Sequence, residues 1–218
     1  MRPTGLILFV LTILGRVAEG QDGPRYPVRP VSLADSLEIA LAMSAAPGEV
    51  SSHADIYALR GTKFERIRSG TNGTACLVAR DYHPGSLYPI CFDQEGARTL
   101  MLREMREVSL RAEGVPETRI DSMVQQELAS GKLPRATKTA LAYMMSPRQV
   151  LFSTADSTGR RVGQWFPHVM MANVGISKEQ LGLSSRYLYL QAGGEAGSLH
   201  EFVILTAVWS DGKPARTQ

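Results

Sequence analysis

The sequence predicts an α+β fold in a single domain, with a mostly antiparallel sheet packed against an antiparallel helix pair. Short apolar runs bounded by turn residues dominate both ends of the chain, which is typical of strands. Between about residues 97 and 130 the apolar residues instead recur with helical spacing. A length of 218 residues suits one domain, which we expect to span residues 32–209.

Residues 1–20 have the three parts of a secretory signal peptide. Arg2 is the basic start, residues 6–14 are apolar, and small residues surround the exit at Gly20. The apolar run is far shorter than the roughly 20 residues that a membrane-spanning helix needs. We therefore expect cleavage after Gly20, a mature chain without a transmembrane segment, and a periplasmic or secreted location.

The net charge is too small for a protein that binds nucleic acid. The formal charge is +3, and it falls to +2 without residues 1–20, which hold two arginines and one glutamate. Nucleic-acid binders concentrate basic residues on one face. The basic segment at residues 132–138 has spaced charges that are typical of a solvated loop. We therefore expect no nucleic-acid partner.

The elements begin with a leader and one helix. Residues 21–31 carry three prolines without periodicity, which indicates an extended leader. Ser32 and Asp35 have the spacing of a helix start, and Pro47-Gly48 is expected to end that helix. Its apolar face is predicted to hold Leu33, Leu37, Ala40 and Leu41.

Three strands are predicted next. Residues 55–60 and 63–68 form a hairpin around Gly61-Thr62. The second of these strands carries charges on both faces, which favours a position at the edge of the sheet. Residues 74–80 are apolar on both faces, so we expect that strand near the middle of the sheet.

The two cysteines of the chain, Cys76 and Cys91, are expected to form a disulfide. An exported chain folds in an oxidising compartment, where a single pair of cysteines is usually bonded. The bond would join two neighbouring β segments and stabilise the fold by about 3 kcal/mol. A redox or metal role would need a C-x-x-C spacing or a histidine cluster near the pair.

Two amphipathic helices follow, and the short link between them predicts an antiparallel pair. Gly114 is expected to end the first helix, Pro116 to lie in the first turn of the second, and Gly131 to end it. The apolar stripe of the first helix is predicted to hold Met101, Met105, Val108 and Ala112. That of the second is predicted to hold Ile120, Met123, Val124 and Leu128.

The last third of the chain is read as strands that end in a polar tail. We expect residues 210–218 to be disordered, because the composition becomes polar after Trp209. The predicted strands are residues 139–146, 149–153, 162–166, 169–172 and 202–208.

Several short segments resemble a group of exported bacterial proteins that have no assigned activity. These segments are Ala46-Pro47-Gly48-Glu49-Val50, Gly70-Thr71-Asn72-Gly73, Cys76-Leu77-Val78-Ala79-Arg80, Pro89-Ile90-Cys91-Phe92-Asp93, Ala142-Tyr143-Met144-Met145-Ser146 and Pro167-His168-Val169-Met170. The resemblance implies export and a single domain. It implies no catalytic residue.

A non-enzymatic binding or interaction module of the cell envelope is the function that requires the fewest assumptions. Aromatic residues cluster in a chain that contains 7% of them, and an apolar cleft edged by aromatic side chains is typical of a ligand site. The partner would be a small molecule or an envelope component, and no cofactor motif is present. The predicted ligand-binding residues are Tyr143, Trp165, His168, Tyr187 and Tyr189.

A hydrolase is one alternative function. His168 or His200 could act as general base beside a hydroxyl such as that of Tyr143 or Ser146. The sequence contains no G-x-S-x-G, H-E-x-x-H or S-x-x-K motif to support this chemistry.

A soft-metal site is the other alternative. His168 and Met170 would share one face of a strand, and imidazole with thioether suits Cu(I). Methionine also commonly fills gaps in a hydrophobic core, so the sequence leaves this alternative open.

Overall fold

The computed structural model describes residue 30 and residues 32–80, 86–152, 161–172, 188–191 and 201–215. The predicted signal peptide and all but Pro30 of the predicted leader lie outside these ranges. The described helices are α1 (Asp35–Met43), α2 (Gly48–Ser51), α3 (Gln94–Ala97), α4 (Leu100–Ala112) and α5 (Glu117–Ala129). The described strands are β1 (Asp55–Arg60), β2 (Lys63–Arg68), β3 (Ala75–Ala79), β4 (Tyr88–Phe92), β5 (Ala140–Met144), β6 (Leu151–Phe152), β7 (Arg161–Gly163), β8 (His168–Ala172), β9 (Leu188–Gln191) and β10 (Glu201–Leu205).

Eight of these strands form one sheet in the order β2-β1-β3-β4-β5-β8-β10-β9. Neighbouring strands are antiparallel, except that β1 and β3 are parallel. Strands β6 and β7 form a separate antiparallel pair. The predicted α+β fold with a mostly antiparallel sheet is confirmed. No helix in the described ranges is long and apolar enough to span a membrane.

The first hairpin and the third strand follow their sequence patterns. Strands β1 and β2 have the predicted bounds and are joined at Gly61, whose φ of 59° is a left-handed conformation that glycine adopts without strain. Strand β2 lies at the edge of the sheet, as its charged faces predicted. All five residues of β3 are buried, because helices cover this part of the sheet on both faces.

The sheet carries a hydrophobic cluster on each face. On one, which we call the α1 face, Leu41 and Ala42 of α1 pack against Cys76 and Val78. On the other, the α4 face, Met101 and Met105 of α4 pack against a second set of strand residues. That set includes Leu77, Ile90, Ala142 and Met144. Helix α1 therefore covers the face of the sheet opposite to α4.

The helix pair forms, with α4 between the sheet and α5. Arg106 of α4 lies 2.9 Å from Glu127 near the end of α5, while Arg111 lies 2.8 Å from Glu117 at its start. The order of these contacts shows that the two helices are antiparallel. Gly114, at φ 85°, ends α4 in the left-handed conformation expected of a C-terminal cap.

Helix α1 differs from its prediction. It begins after Ala34 without a side-chain cap, so Ser32 does not start it, and it ends at Met43, before Pro47. The predicted apolar face is also wrong, because Leu37 is 40% exposed whereas Glu38 is completely buried. The physical reason is an arginine that meets Glu38 inside the protein.

Glu38 and Arg80 form a buried ion pair that joins α1 to the end of β3. Two hydrogen bonds connect them, from Nη1 to Oε1 at 2.9 Å and from Nη2 to Oε2 at 2.7 Å. The side chains are 0% and 2% exposed. Two such bonds fix the relative position of the two groups, and neither charge has water as an alternative partner. The pair therefore sets how α1 lies on the sheet.

Residues 210–215 belong to the segment that was expected to be disordered, but they are ordered in the structure. The C-terminal segment forms a hairpin closed by a bridge between Val208 and Pro214. The backbone N–H of Ser210 donates to the carbonyl of Met145 at 2.9 Å, and the hydroxyl of Ser210 donates to the carbonyl of Ser44 at 2.6 Å. The hairpin is therefore attached to the end of α1 and to the end of β5.

The predicted disulfide between Cys76 and Cys91 is confirmed. The two residues are directly opposite each other in β3 and β4, and their Cα atoms are 4.0 Å apart. The bond lies on the α1 face, where the Cys91 sulfur is 3.6 Å from the carbonyl oxygen of Ala42.

Replacing both cysteines with alanine should lower the free energy of unfolding by about 3 kcal/mol, since the bond closes a loop with a sequence separation of 15 residues. Urea unfolding of the oxidised protein and of the double variant measures the difference. The reduced wild-type protein is the control and should resemble the variant. Equal urea midpoints for the oxidised protein and the variant would contradict this expectation.

Glu38→Gln should lower the free energy of unfolding by about 3–5 kcal/mol, because it removes the charge that accepts two hydrogen bonds from the buried Arg80 guanidinium. Combining Glu38→Leu with Arg80→Met should recover most of that loss, since apolar residues of similar volume need no charged partner. Asp35→Asn is the matched control on the same helix. Its ion pair with Arg60 is exposed and should contribute at most about 1 kcal/mol.

Candidate ligand-binding cleft

An open cleft of about 990 Å³ lies beside the C-terminal half of α1. Drug-sized ligands bind in pockets of up to about this volume. Four parts of the chain contribute to the lining: α1 and α2 with the turn between them, the loop after β5, the loop before β8, and the C-terminal hairpin. The lining residues include Ala40, Met43, Ser44, Pro147, Arg148, Gln164, Trp165, Phe166, Trp209, Asp211, Lys213 and Pro214.

Trp165 is held in place from two sides while its residue remains 45% exposed. The side-chain amide of buried Gln149 makes two hydrogen bonds to the backbone of Trp165. It donates to the carbonyl oxygen at 2.8 Å and accepts from the backbone N–H at 3.3 Å. One face of the indole stacks on Tyr88, with ring centroids 5.0 Å apart. Because both backbone and ring are fixed, Trp165 presents apolar surface to the cleft at little further cost in conformational entropy.

Both tryptophans of the chain line this cleft, together with the exposed ring of Phe166. Trp209 belongs to the C-terminal hairpin, where its N–H donates to the carbonyl of Lys213 at 2.9 Å. Exposed aromatic residues gathered in a concave surface are typical of binding sites.

A chain of hydroxyl groups ties the walls of the cleft together. The Ser44 hydroxyl donates to the carbonyl of Leu41 at 2.6 Å, so the Ser146 hydroxyl, also 2.6 Å away, is the donor to Ser44. Ser146 in turn accepts from the N–H of Arg148 at 3.0 Å. Ser146 is 1% exposed and its proton is used within the protein, so this hydroxyl has a structural role.

The rim of the cleft carries one positive charge without an ionic partner in the described residues. Asp211 and Lys213 pair at 2.7 Å; this hydrogen bond lowers the pKa of the Asp211 carboxyl and raises the pKa of the Lys213 amine. The Arg148 guanidinium donates to the carbonyl of Ala40 at 3.3 Å, and no carboxylate in the described ranges pairs with it. The rim is therefore suited to an anionic group.

The predicted ligand-binding residues are distributed over different parts of the fold. Trp165 lines the cleft. Tyr143 packs on the α1 face near the disulfide, while its neighbour Met144 belongs to the α4 face. Tyr189 is opposite Val203 in the sheet, but its side chain, like the whole of Tyr187, lies outside the described residues.

His168 is buried at the start of β8, outside the lining of the cleft. Its Nδ1 lies 2.7 Å from the carbonyl oxygen of Phe166, and because a carbonyl only accepts, Nδ1 carries the proton. Burial lowers the pKa of His168, and the hydrogen bond to Phe166 opposes this only in part. No hydroxyl or carboxylate in the described ranges is hydrogen-bonded to the ring, and His200 lies outside those ranges.

The cleft also contains Trp209, Phe166 and Arg148, which were not among the predicted ligand-binding residues. The adjacent aromatic pair Trp165-Phe166 was a local signal that could have included Phe166. Trp209 reaches the cleft only because Ser210 bonds to Ser44, which is 166 residues away in the sequence, and no local pattern encodes that contact.

Comparison of the chain with protein-family models, with curated proteins and with solved structures finds no match. The functional conclusion therefore depends on the geometry of the cleft and on the chemistry of its residues.

The stability of the protein should fall as the pH drops below about 6.5, in part because the pKa of His168 is lowered from that value in the folded state. Since its pKa is lowered in the folded state, the unfolded chain binds this proton more readily as the pH falls through the unfolded value. His168→Asn should flatten the slope of the unfolding free energy against pH by at most about 1.4 kcal/mol per pH unit.

Urea unfolding at a series of pH values measures this slope. His53→Asn, at an exposed position, is the control and should leave the slope close to that of the wild type. A His168→Asn slope equal to the wild-type slope would contradict the assignment of this proton to His168.

Proposed function

We propose that this protein is an exported, non-enzymatic binding module, whose ligand occupies the cleft between α1, the loop before β8 and the C-terminal hairpin. The observation that carries the proposal is the meeting of Trp165, Phe166 and Trp209 in one open concavity. A monomeric surface rarely gathers large aromatic groups in this way without a binding role.

The construction of the cleft supports a binding site that is formed before the ligand arrives. Gln149 and Tyr88 hold Trp165, and the C-terminal hairpin is bonded to α1 and to the end of β5. Affinity is higher when the ligand does not have to order its site. A ligand with an apolar face for the two indoles and an anionic group for Arg148 fits this surface.

Binding is favoured over hydrolysis by the groups near the cleft. The Ser146 hydroxyl is buried and donates to Ser44, and His168 donates to a backbone carbonyl. A nucleophile and its base would instead be hydrogen-bonded to each other in an open site. The Cys76–Cys91 disulfide and the signal-like residues 1–20 support a periplasmic or secreted location.

The aromatic anion 8-anilinonaphthalene-1-sulfonate should bind the native protein in this cleft. Its dye fluorescence should rise, and emission from the two tryptophans should change, because both line the cleft. Trp165→Ala should weaken binding by about tenfold or more, as expected for a central aromatic residue, and Arg148→Gln should weaken it less. Fluorescence titration gives both affinities, and displacement of the dye then screens small molecules, saccharides and peptides.

Leu37→Ala is the matched control, since Leu37 is an exposed apolar residue outside the lining of the cleft. Its affinity for the dye should equal that of the wild type. The proposal would be contradicted if Trp165→Ala and Trp209→Ala both bound the dye as tightly as Leu37→Ala does. The same comparison applies to any ligand that displaces the dye, and equal affinities would show that the cleft is not the binding site.

A further inference from the structure

The register of the sheet brings two methionines next to His168. Met144 of β5 is directly opposite His168 of β8, and both residues are 7% exposed. Met170 lies two residues further along β8, so its side chain is on the same face as that of His168. It packs against the cluster on the α4 face that also contains Met144. Three soft or borderline donors therefore neighbour one another on one face.

The imidazole of His168 is in the form that binds metal. Its Nδ1 proton is donated to the carbonyl of Phe166 at 2.7 Å, which leaves a lone pair on Nε2 of the neutral ring. A backbone carbonyl that fixes the ring in this way is the usual outer partner of a histidine ligand.

The spacing of the three residues suits a single ion. Opposite residues of an antiparallel pair have Cβ atoms about 4.5–5.5 Å apart, and residues two apart in a strand are separated by about 6.8 Å. Methionine has three flexible torsions before its methyl group, so both sulfurs can reach a point near Nε2.

We propose that Nε2 of His168 and the thioether sulfurs of Met144 and Met170 form a binding site for one Cu(I) ion. Thioethers are soft ligands that select Cu(I) over harder ions. The surroundings are apolar, and a monovalent ion costs less to transfer there than a divalent one. No group of three or more histidine, cysteine or acidic side chains in the described ranges could hold a metal. None of the three residues lines the proposed ligand cleft, but the ring of His168 lies 6.3 Å, centroid to centroid, from that of Trp165, which does.

The test is a titration of the full protein with Cu(I), kept reduced by ascorbate without oxygen, in competition with the chelator bicinchoninate. One ion should bind per chain. Met144→Leu and Met170→Leu nearly conserve side-chain volume and should each weaken Cu(I) binding by about tenfold or more. Removing a group that only supports a metal ligand already costs about this much, and removing a ligand itself costs more. Met171→Leu is the matched control, because Met171 is the next residue of β8 and points to the opposite face.

His168→Asn separates the metal role from the structural one. Asparagine can still donate to the Phe166 carbonyl but has no atom in place of Nε2, so the variant should fold and lose the ion. Ag(I), which needs no reductant, should bind the same residues and shift the ¹⁵N resonance of His168 Nε2. Circular dichroism confirms that each variant is folded. If Met144→Leu unfolds the protein, the less buried Met170 still provides the test.

Three results would overturn the proposal. The first is that the wild-type protein binds no Cu(I) in competition with the chelator. The second is that Met144→Leu and Met170→Leu bind it as tightly as Met171→Leu, which would make the methionines core residues only. The third is unchanged binding by His168→Asn, which would place the ion elsewhere in the chain.

Discussion

The buried ion pair between Glu38 and Arg80 is the constraint on which the arrangement of the described structure depends. Two charges removed from water are tolerated only when they satisfy each other, and here two short hydrogen bonds do so. Apolar contacts alone would allow α1 to slide or rotate on the sheet, because they have little directionality. The ion pair removes that freedom, since a displaced Glu38 would lose both of its hydrogen bonds to the buried guanidinium of Arg80.

The position of α1 determines the cleft. Ala40, Met43 and Ser44 form one wall, and the Ser44 carbonyl accepts the hydroxyl of Ser210. The C-terminal hairpin is therefore placed by a helix near the other end of the chain, and it carries Trp209 towards Trp165. A change at the ion pair would affect ligand binding through this sequence of contacts, even though Glu38 and Arg80 do not line the cleft.

The parts of the fold that the sequence predicted are those encoded by local patterns. The β1–β2 hairpin follows from alternation and a glycine turn, and the bounds of α5 follow from Pro116 and Gly131. The buried face of α1 was predicted wrongly because hydrophobic periodicity places a glutamate on the solvent side of a helix. Glu38 is buried because it pairs with Arg80, which is 42 residues away in the sequence, and no local pattern indicates that pairing. The cleft was predictable only through Trp165, since its other walls come together through contacts between distant segments.

Besides stabilising the fold, the disulfide fixes the register of β3 and β4, which are neighbouring strands in the sheet. Cys76 is opposite Cys91, and Cys91 is opposite Tyr143, so these residues lie on the α1 face. The adjacent position in β5, Met144, must then point to the α4 face, where it meets His168. A slip of one residue between β4 and β5 would exchange the faces of Tyr143 and Met144. The disulfide joins β3 to β4, and the pairing of β4 with β5 and of β5 with β8 then places Met144 beside His168 on the opposite side of the sheet.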